Sequence, residues 1–207
     1  MSDQGSHRDP WTSPDGRAAL GIFYQELGET MAAWSAVEDG LFEWFKLCTG
    51  MEERLARAIF YAARSFEGRR DMLTAVIPFS PCNEKTRTGI RLCLKRAGQY
   101  VAFRNRISHG HIIYTYVAAI PQHVLAEGRT LSGAVDTKYV VLEDLMAATL
   151  NFSALTDCIL GFHPQWQAPD LCERGCLEEI QALPSAANSM EPSQPSQKKQ
   201  RPIDPVP

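Results

Sequence analysis

The sequence lacks any long run of apolar residues. The longest candidate, residues 112–120, is about half of the ~20 residues that a membrane-spanning helix needs, and Thr115 interrupts it. The first sixteen residues are largely Asp, Gln, Ser, His and Pro, without the charged-then-apolar order of a secretory signal peptide. These features predict a protein without a membrane segment that is kept in the cytoplasm.

The sequence also lacks the short motifs of several large enzyme classes. It contains no G-x-x-x-x-G-K-[ST], no G-x-G-x-x-G and no G-x-S-x-G. Nucleotide hydrolysis on a P-loop, dinucleotide redox chemistry and serine esterase chemistry therefore have no support. The net charge is only -3, from 21 Lys and Arg against 24 Asp and Glu, so no overall excess of charge points to a partner.

Six cysteines do not indicate a disulfide scaffold, because a chain of 207 residues with 44% apolar residues can bury a core without one. We expect free, mostly buried thiols. Cys158, His163, Cys172 and Cys176 could in principle ligate zinc, but their spacing matches no usual finger or ribbon. The sequence therefore predicts neither a metal site nor a cofactor.

Both ends of the chain differ in composition from its middle. Residues 1–17 are polar and include Pro10, Pro14 and Gly16, which predicts a disordered arm. Residues 184–207 hold six of the chain's 13 prolines among Ser, Gln and Lys, which predicts a disordered tail. Residues 18–183 remain as one domain.

Apolar residues recur at helical spacing through most of this domain. The pattern predicts long helices at residues 20–48, 55–76, 83–110 and 142–160, with a short helix at 171–183. Asn83 is the expected N-cap of the third helix, and Gly110 is its expected stop. Residues 112–117 and 138–142 are rich in β-branched and aromatic residues, which predicts a small hairpin with a long loop. The predicted fold class is all-α, a bundle of four or five helices with an inserted β-hairpin.

One acidic residue interrupts the apolar stripe of the first helix. Glu38 lies four residues after Trp34 and three before Leu41, where an apolar residue would continue the spacing. A buried carboxylate needs a cationic or hydrogen-bonding partner. Arg104 and His109 are the candidates, although spacing does not encode contacts between helices.

The third helix ends in the polar sequence R-N-R-I-S-H-G, residues 104–110. At about 100° per residue, Arg104 and Asn105 flank the direction of the apolar stripe, whereas Arg106 points roughly 150° away and is expected in solvent. Asn105 and His109 are i, i+4 neighbours, so their side chains can touch. In the structural alternative, Arg104 caps carbonyls or pairs with an acid, and the helix dipole favours His109.

Arg104, Asn105 and His109 in R-N-x-x-x-H resemble the signature of the HEPN superfamily, in which Arg and His lie near the end of a helix in an all-α bundle. The likeness extends more loosely over residues 18–162, and the β-rich segment departs from it. The resemblance implies a metal-independent endoribonuclease that acts as a homodimer, with two motifs facing each other across a cleft. It also allows the alternative of a non-catalytic module, within a defence or toxin-like system, that binds RNA, a nucleotide or a regulatory protein partner.

The resemblance gives each residue of the motif a role. His109 would be the general base, Arg104 would stabilise charge on the phosphate, and Asn105 would orient His109 or a phosphate oxygen. The expected role of Glu38, to hold Arg104, comes from the gap in the apolar stripe instead.

The third helix is strongly basic. Residues 84–106 contain seven basic residues and one acid, a local balance of +6 in a chain of net charge -3. Arg87, Arg91, Lys95 and Arg96 are therefore predicted to bind the phosphate backbone of RNA. In the alternative, this helix packs beside the acidic first helix, and the two arrangements are compatible.

Overall fold

The computed structural model describes residues 11–117, 120–126, 139–163, 178 and 180–184. The predicted fold class is confirmed, because five α-helices and a small antiparallel sheet make up this part of the chain. The elements are α1 (Pro14–Thr49), α2 (Glu53–Ala62), α3 (Phe66–Val76), a 3₁₀ turn (Ile77–Phe79), α4 (Glu84–His109), β1 (His111–Val117), β2 (Ile120–Ala126), β3 (Tyr139–Val140) and α5 (Leu142–Gly161). None of these helices combines the length and the apolar character needed to cross a membrane.

Helix α1 starts earlier than its apolar spacing predicts. The Ser13 hydroxyl accepts a hydrogen bond from the Gly16 amide at 3.1 Å, and Pro14 fits the first helical position, where no amide donor is needed. The predicted disordered arm is therefore wrong for residues 14–17. Residues 1–10 lie outside the described part of the chain.

The bundle is centred on the packing of α1 against α5. Gly40 lets the helices approach closely, because a Cβ there would lie 2.9 Å from the Ile159 Cγ2 atom. The Trp44 indole N–H donates to the Ile159 carbonyl at 2.8 Å, so this buried tryptophan is also satisfied. The predicted helix at residues 142–160 is confirmed as α5.

The prediction of one helix over residues 55–76 is wrong, since α2 and α3 are separate. Ser65 starts a new helix, because its hydroxyl accepts from the Gly68 amide at 3.0 Å. Helix α2 buries Ala56 and Phe60, whereas Leu55, the first residue of the predicted helix, is exposed.

Helix α4 has both predicted ends. The Asn83 side chain accepts from the Thr86 amide at 2.9 Å, and the helix ends at His109. Gly110 is extended, with φ -76°, so its role is steric. A Cβ at this position would overlap the Cδ2 atom of Leu125, which packs against the chain where it leaves α4.

Within the described residues the β element has three strands where two were predicted. All pairs are antiparallel in the order β1-β2-β3, and β2 occupies part of the predicted loop. Pro121 weakens the sequence signal of this strand, because proline is usually excluded from sheet interiors. It is tolerated here because β3 pairs with β2 only at Leu125 and Ala126, so β1 is the one strand beside Pro121 in the part of the chain that the structure describes.

The remaining predictions concern the cysteines and the C-terminal region. Cys48, Cys82, Cys93 and Cys158 form no disulfide, and all but Cys82 are buried. Residues 180–182 are helical, as the predicted helix at 171–183 requires. The other residues of that helix, apart from 178 and 183, lie outside the described residues, as do Cys172, Cys176 and residues 185–207.

Replacing Gly110 by alanine tests the close contact at the end of α4. We expect Gly110→Ala to lower the free energy of unfolding by about 1–3 kcal/mol, because Leu125 must move to admit a methyl group. Gly28→Ala is the matched control, since Gly28 lies inside α1 with no atom near its Cβ position and alanine favours helix there. Urea unfolding of both variants makes the measurement, and equal stabilities would contradict the steric account.

Candidate functional site

The Glu38 carboxylate is the centre of a polar cluster between α1, α3 and α4. Its Oε1 atom accepts from the Arg69 Nη2 atom at 2.8 Å and from the Trp34 indole N–H at 2.9 Å. The Arg104 Nη2 atom lies 3.8 Å from the same oxygen. The predicted contact between Glu38 and Arg104 is present, but Arg69 is the closer partner. The Glu38 side chain is only 15% exposed, so both guanidinium groups compensate a charge with little access to water.

Arg69 was missed by the sequence reasoning, although a signal for it exists. It lies three residues after Phe66 and four before Leu73, and both of those residues are buried. Arg69 therefore interrupts an apolar stripe in the same way as Glu38. Two opposite charges in such positions on different helices indicate a pair.

Tyr61 on α2 packs against the side of this polar cluster. The Arg69 guanidinium lies over the Tyr61 ring, 5.7 Å from its centroid, and the Tyr61 hydroxyl donates to the Asp39 carboxylate at 2.9 Å. Burial, reinforced by this hydrogen bond, raises the pKa of Tyr61 to about 12. The phenol therefore stays protonated and remains a donor at any physiological pH.

Arg104 connects the buried cluster to the exposed end of α4. Its guanidinium lies over the Trp34 ring at 6.0 Å, within reach of a cation–π contact. Its Nη1 atom donates to the Asn105 Oδ1 atom at 3.0 Å. The side chain is 27% exposed, so this guanidinium is held on one side and open to solvent on the other.

His109 is exposed in the last turn of α4 and has no hydrogen-bond or ion-pair partner among the described residues. It lies about 40° around the helix from Asn105 and about 140° from Arg104. Asn105 therefore lies on the same side of α4 as His109 and accepts from Arg104, but no hydrogen bond joins Asn105 to His109 among the described residues. Ser108 is also exposed, and its hydroxyl donates to the Arg104 carbonyl at 2.7 Å.

Three of the predicted RNA-binding residues lie on the His109 side of α4, since Arg87 also falls within about 40° of the same line, and two of the three are exposed. Arg91 precedes His109 by eighteen residues, which is five full turns or about 27 Å, and Lys95 lies within about 40° of the same line. Both side chains are exposed. Arg91 pairs with Glu84 at 2.8 Å, and this hydrogen bond lowers the pKa of the Glu84 carboxyl.

Arg87 and Arg96 are engaged within the chain. Arg87 donates to the Ser80 carbonyl at 3.0 Å, at the end of the 3₁₀ turn. Arg96 lies about 140° around α4 from His109. It donates to the carbonyls of Ile180 at 3.2 Å and Pro184 at 3.1 Å, so the structure separates it from the His109 face.

Arg106 is half-buried, and the expectation that it is solvated is wrong. Helix α5 packs against α4, which the helical wheel of α4 alone does not show. Arg106 lies near Asp144 in the first turn of α5. Burial raises the pKa of the Asp144 carboxyl, and the charge of Arg106 opposes this shift.

Metal ligands do not cluster within the described residues, where no three His, Cys, Asp or Glu side chains are placed to share an ion. His163 instead packs edge-on against Trp44 at 5.3 Å, and burial lowers its pKa.

No protein-family model, curated protein or solved structure matches the chain.

Removing the Glu38 carboxylate tests the polar cluster. We expect Glu38→Ala to lower the free energy of unfolding by about 3 kcal/mol, because it leaves Arg69 buried without its counterion. Glu84→Ala removes an ion pair of the same 2.8 Å length from the surface, where the Glu84 side chain is 68% exposed. The loss there should be much smaller, because water already screens that pair. Equal losses in urea unfolding would contradict a buried role for Glu38.

Proposed function

We propose that the protein is a metal-independent endoribonuclease whose site is the exposed end of α4. The proposal depends on the resemblance of Arg104, Asn105 and His109 to the HEPN signature. The observation that supports it best is the Arg104 to Asn105 hydrogen bond, which joins an anchored guanidinium to the exposed face that carries His109. A phosphodiester on that face would meet the His109 imidazole and Asn105, with the Arg104 guanidinium hydrogen-bonded to Asn105 beside them.

The reaction would be transfer of the phosphodiester to the ribose 2′-hydroxyl. The His109 imidazole takes the hydroxyl proton, the 2′ oxygen attacks phosphorus, and the bond to the 5′ oxygen breaks. The Arg104 guanidinium stabilises negative charge on the non-bridging oxygens. The products are a 2′,3′-cyclic phosphate and a 5′-hydroxyl, and the leaving oxygen must receive one proton.

A second copy of the chain would supply that proton. One motif provides one imidazole for removing the first proton, and a facing motif in a homodimer provides another as the acid. In each copy Glu38 is the positioning residue, because it holds Arg104 through an ion pair at 3.8 Å. The proposed enzyme acts on cytoplasmic RNA as this dimer.

The RNA strand would follow the exposed face of α4. Arg91 and Lys95 lie on the same face of α4 as His109, and about 27 Å of helix separates Arg91 from His109. Cations at this spacing would bind phosphates several nucleotides from the cleaved bond and supply affinity without sequence preference. Arg87 and Arg96, which bind carbonyls of their own chain, would contribute less.

Cleavage by the wild type and by His109→Ala tests the proposal. Each purified protein is incubated in EDTA with a pool of structured and single-stranded RNAs, and the product ends are analysed. We expect cleavage by the wild type with 2′,3′-cyclic phosphate ends, and a loss of at least about 100-fold in His109→Ala, the usual scale for removal of a general base. His111→Ala is the matched control, because His111 is also exposed and only two residues away.

A folded wild-type dimer that leaves every RNA intact would contradict the proposed nuclease. Binding of RNA, a nucleotide or a regulatory protein without cleavage would then favour the non-catalytic HEPN-like module. Equal cleavage by His109→Ala would also contradict the assigned base.

A further inference from the structure

A cavity of about 340 Å³ lies on the other side of the sheet connection from the polar cluster. The start of α1, the β1–β2 hairpin and the start of α5 enclose it. Its walls combine apolar side chains, among them Phe23 and Leu142, with the polar groups of Gln122, His123 and Glu143. Pockets of this kind, mostly apolar with a few placed polar groups, are typical of small-molecule sites, and this volume suits a single ring system.

His123 is a fixed part of the cavity wall. It is 5% exposed and lines the cavity. The ring is held by edge contacts with Trp11 at 5.1 Å and with Tyr114 at 5.0 Å. Its Nε2 atom is buried, so a ligand in the cavity would contact the imidazole ring and not this nitrogen.

The charges around the cavity favour a ligand that donates hydrogen bonds. Asp15 and Glu143 line it from the first turns of α1 and α5. Their two full negative charges exceed the partial positive charge of about +0.5 at each helix N-terminus, so the cavity wall is net negative and disfavours an anion. Burial lowers the pKa of His123, which favours the neutral form of its imidazole.

We propose that this cavity binds a nucleobase with an exocyclic amino group, such as adenine or cytosine. The amino group would donate to the Glu143 carboxylate or the Gln122 amide oxygen, and the ring would lie beside Tyr114 and the His123 imidazole. The inference deepens the proposed nuclease and rests on it for the source of the base, an unpaired residue of the RNA substrate. Tyr114 follows His109 by five residues, about 17 Å along an extended strand, so one RNA strand can reach both sites.

Filling the cavity tests this inference without removing any contact. Ala19 lines the cavity from an exposed position on α1, whereas the neighbouring Ala18 is exposed and does not line it. Calorimetric titration with adenosine should show binding to the wild type and to Ala18→Phe, and binding at least about tenfold weaker to Ala19→Phe, because the added ring occupies the site. Uridine, which has no exocyclic amino group, should bind more weakly than adenosine, and inorganic phosphate should not compete.

Absence of adenosine binding, equal binding by Ala19→Phe, or competition by phosphate would overturn the inference. Uridine binding as tight as that of adenosine would overturn the role of the amino group.

His109→Ala separates the inference from the proposed nuclease, since it should bind adenosine like the wild type. If wild type binds adenosine through the cavity but cuts no RNA, the nuclease fails and the base site stands. If RNA is cut and adenosine does not bind, the base site fails alone.

Discussion

The candidate site depends on one buried carboxylate. Glu38 lies in the middle of the longest helix of the described chain, among core residues, and a charge there is tolerated only with cationic partners. Arg69 on α3 meets this requirement at 2.8 Å, and Arg104 on α4 adds a second positive charge at 3.8 Å. Because each partner comes from a different helix, the same charge that must be compensated also fixes how α3 and α4 lie against α1.

The chemistry proposed for α4 follows from this constraint. A free arginine near the end of a helix would sample many rotamers, whereas Arg104 is bound by Glu38 on one side and by Asn105 on the other. Asn105 and His109 lie one turn apart on the exposed face, and Arg104, about 140° around the helix from His109, is joined to that face through its hydrogen bond to Asn105. The cluster around Glu38 is thus a support, and the proposed reaction would take place at the exposed last turn.

The sequence predicts most of the helices and the right class of fold, because apolar spacing and capping residues such as Asn83 act locally. It fails where a local signal is weak or a distant contact decides. Apolar spacing predicts one continuous helix where Ser65 starts a second one. Pro121 makes β2 look unlike a strand, and its pairing with β1 identifies it as one. In the site, Glu38 and the motif could be found from spacing, and Arg69 could have been found in the same way. Other features depend on how the elements pack, which periodicity does not encode. They are the partial burial of Arg106 and the hydrogen bonds from Arg96 to the Ile180 and Pro184 carbonyls.

The most direct test of the central claim is to watch the His109 imidazole by NMR while RNA binds. Protein labelled at histidine nitrogens is titrated with a 2′-O-methyl oligonucleotide that cannot be cleaved, and the His109 signal is assigned from its loss in His109→Ala. The account predicts that the His109 signal shifts in proportion to binding. Oligonucleotide binding that leaves His109 unchanged would contradict it, and so would a folded dimer that binds no oligonucleotide.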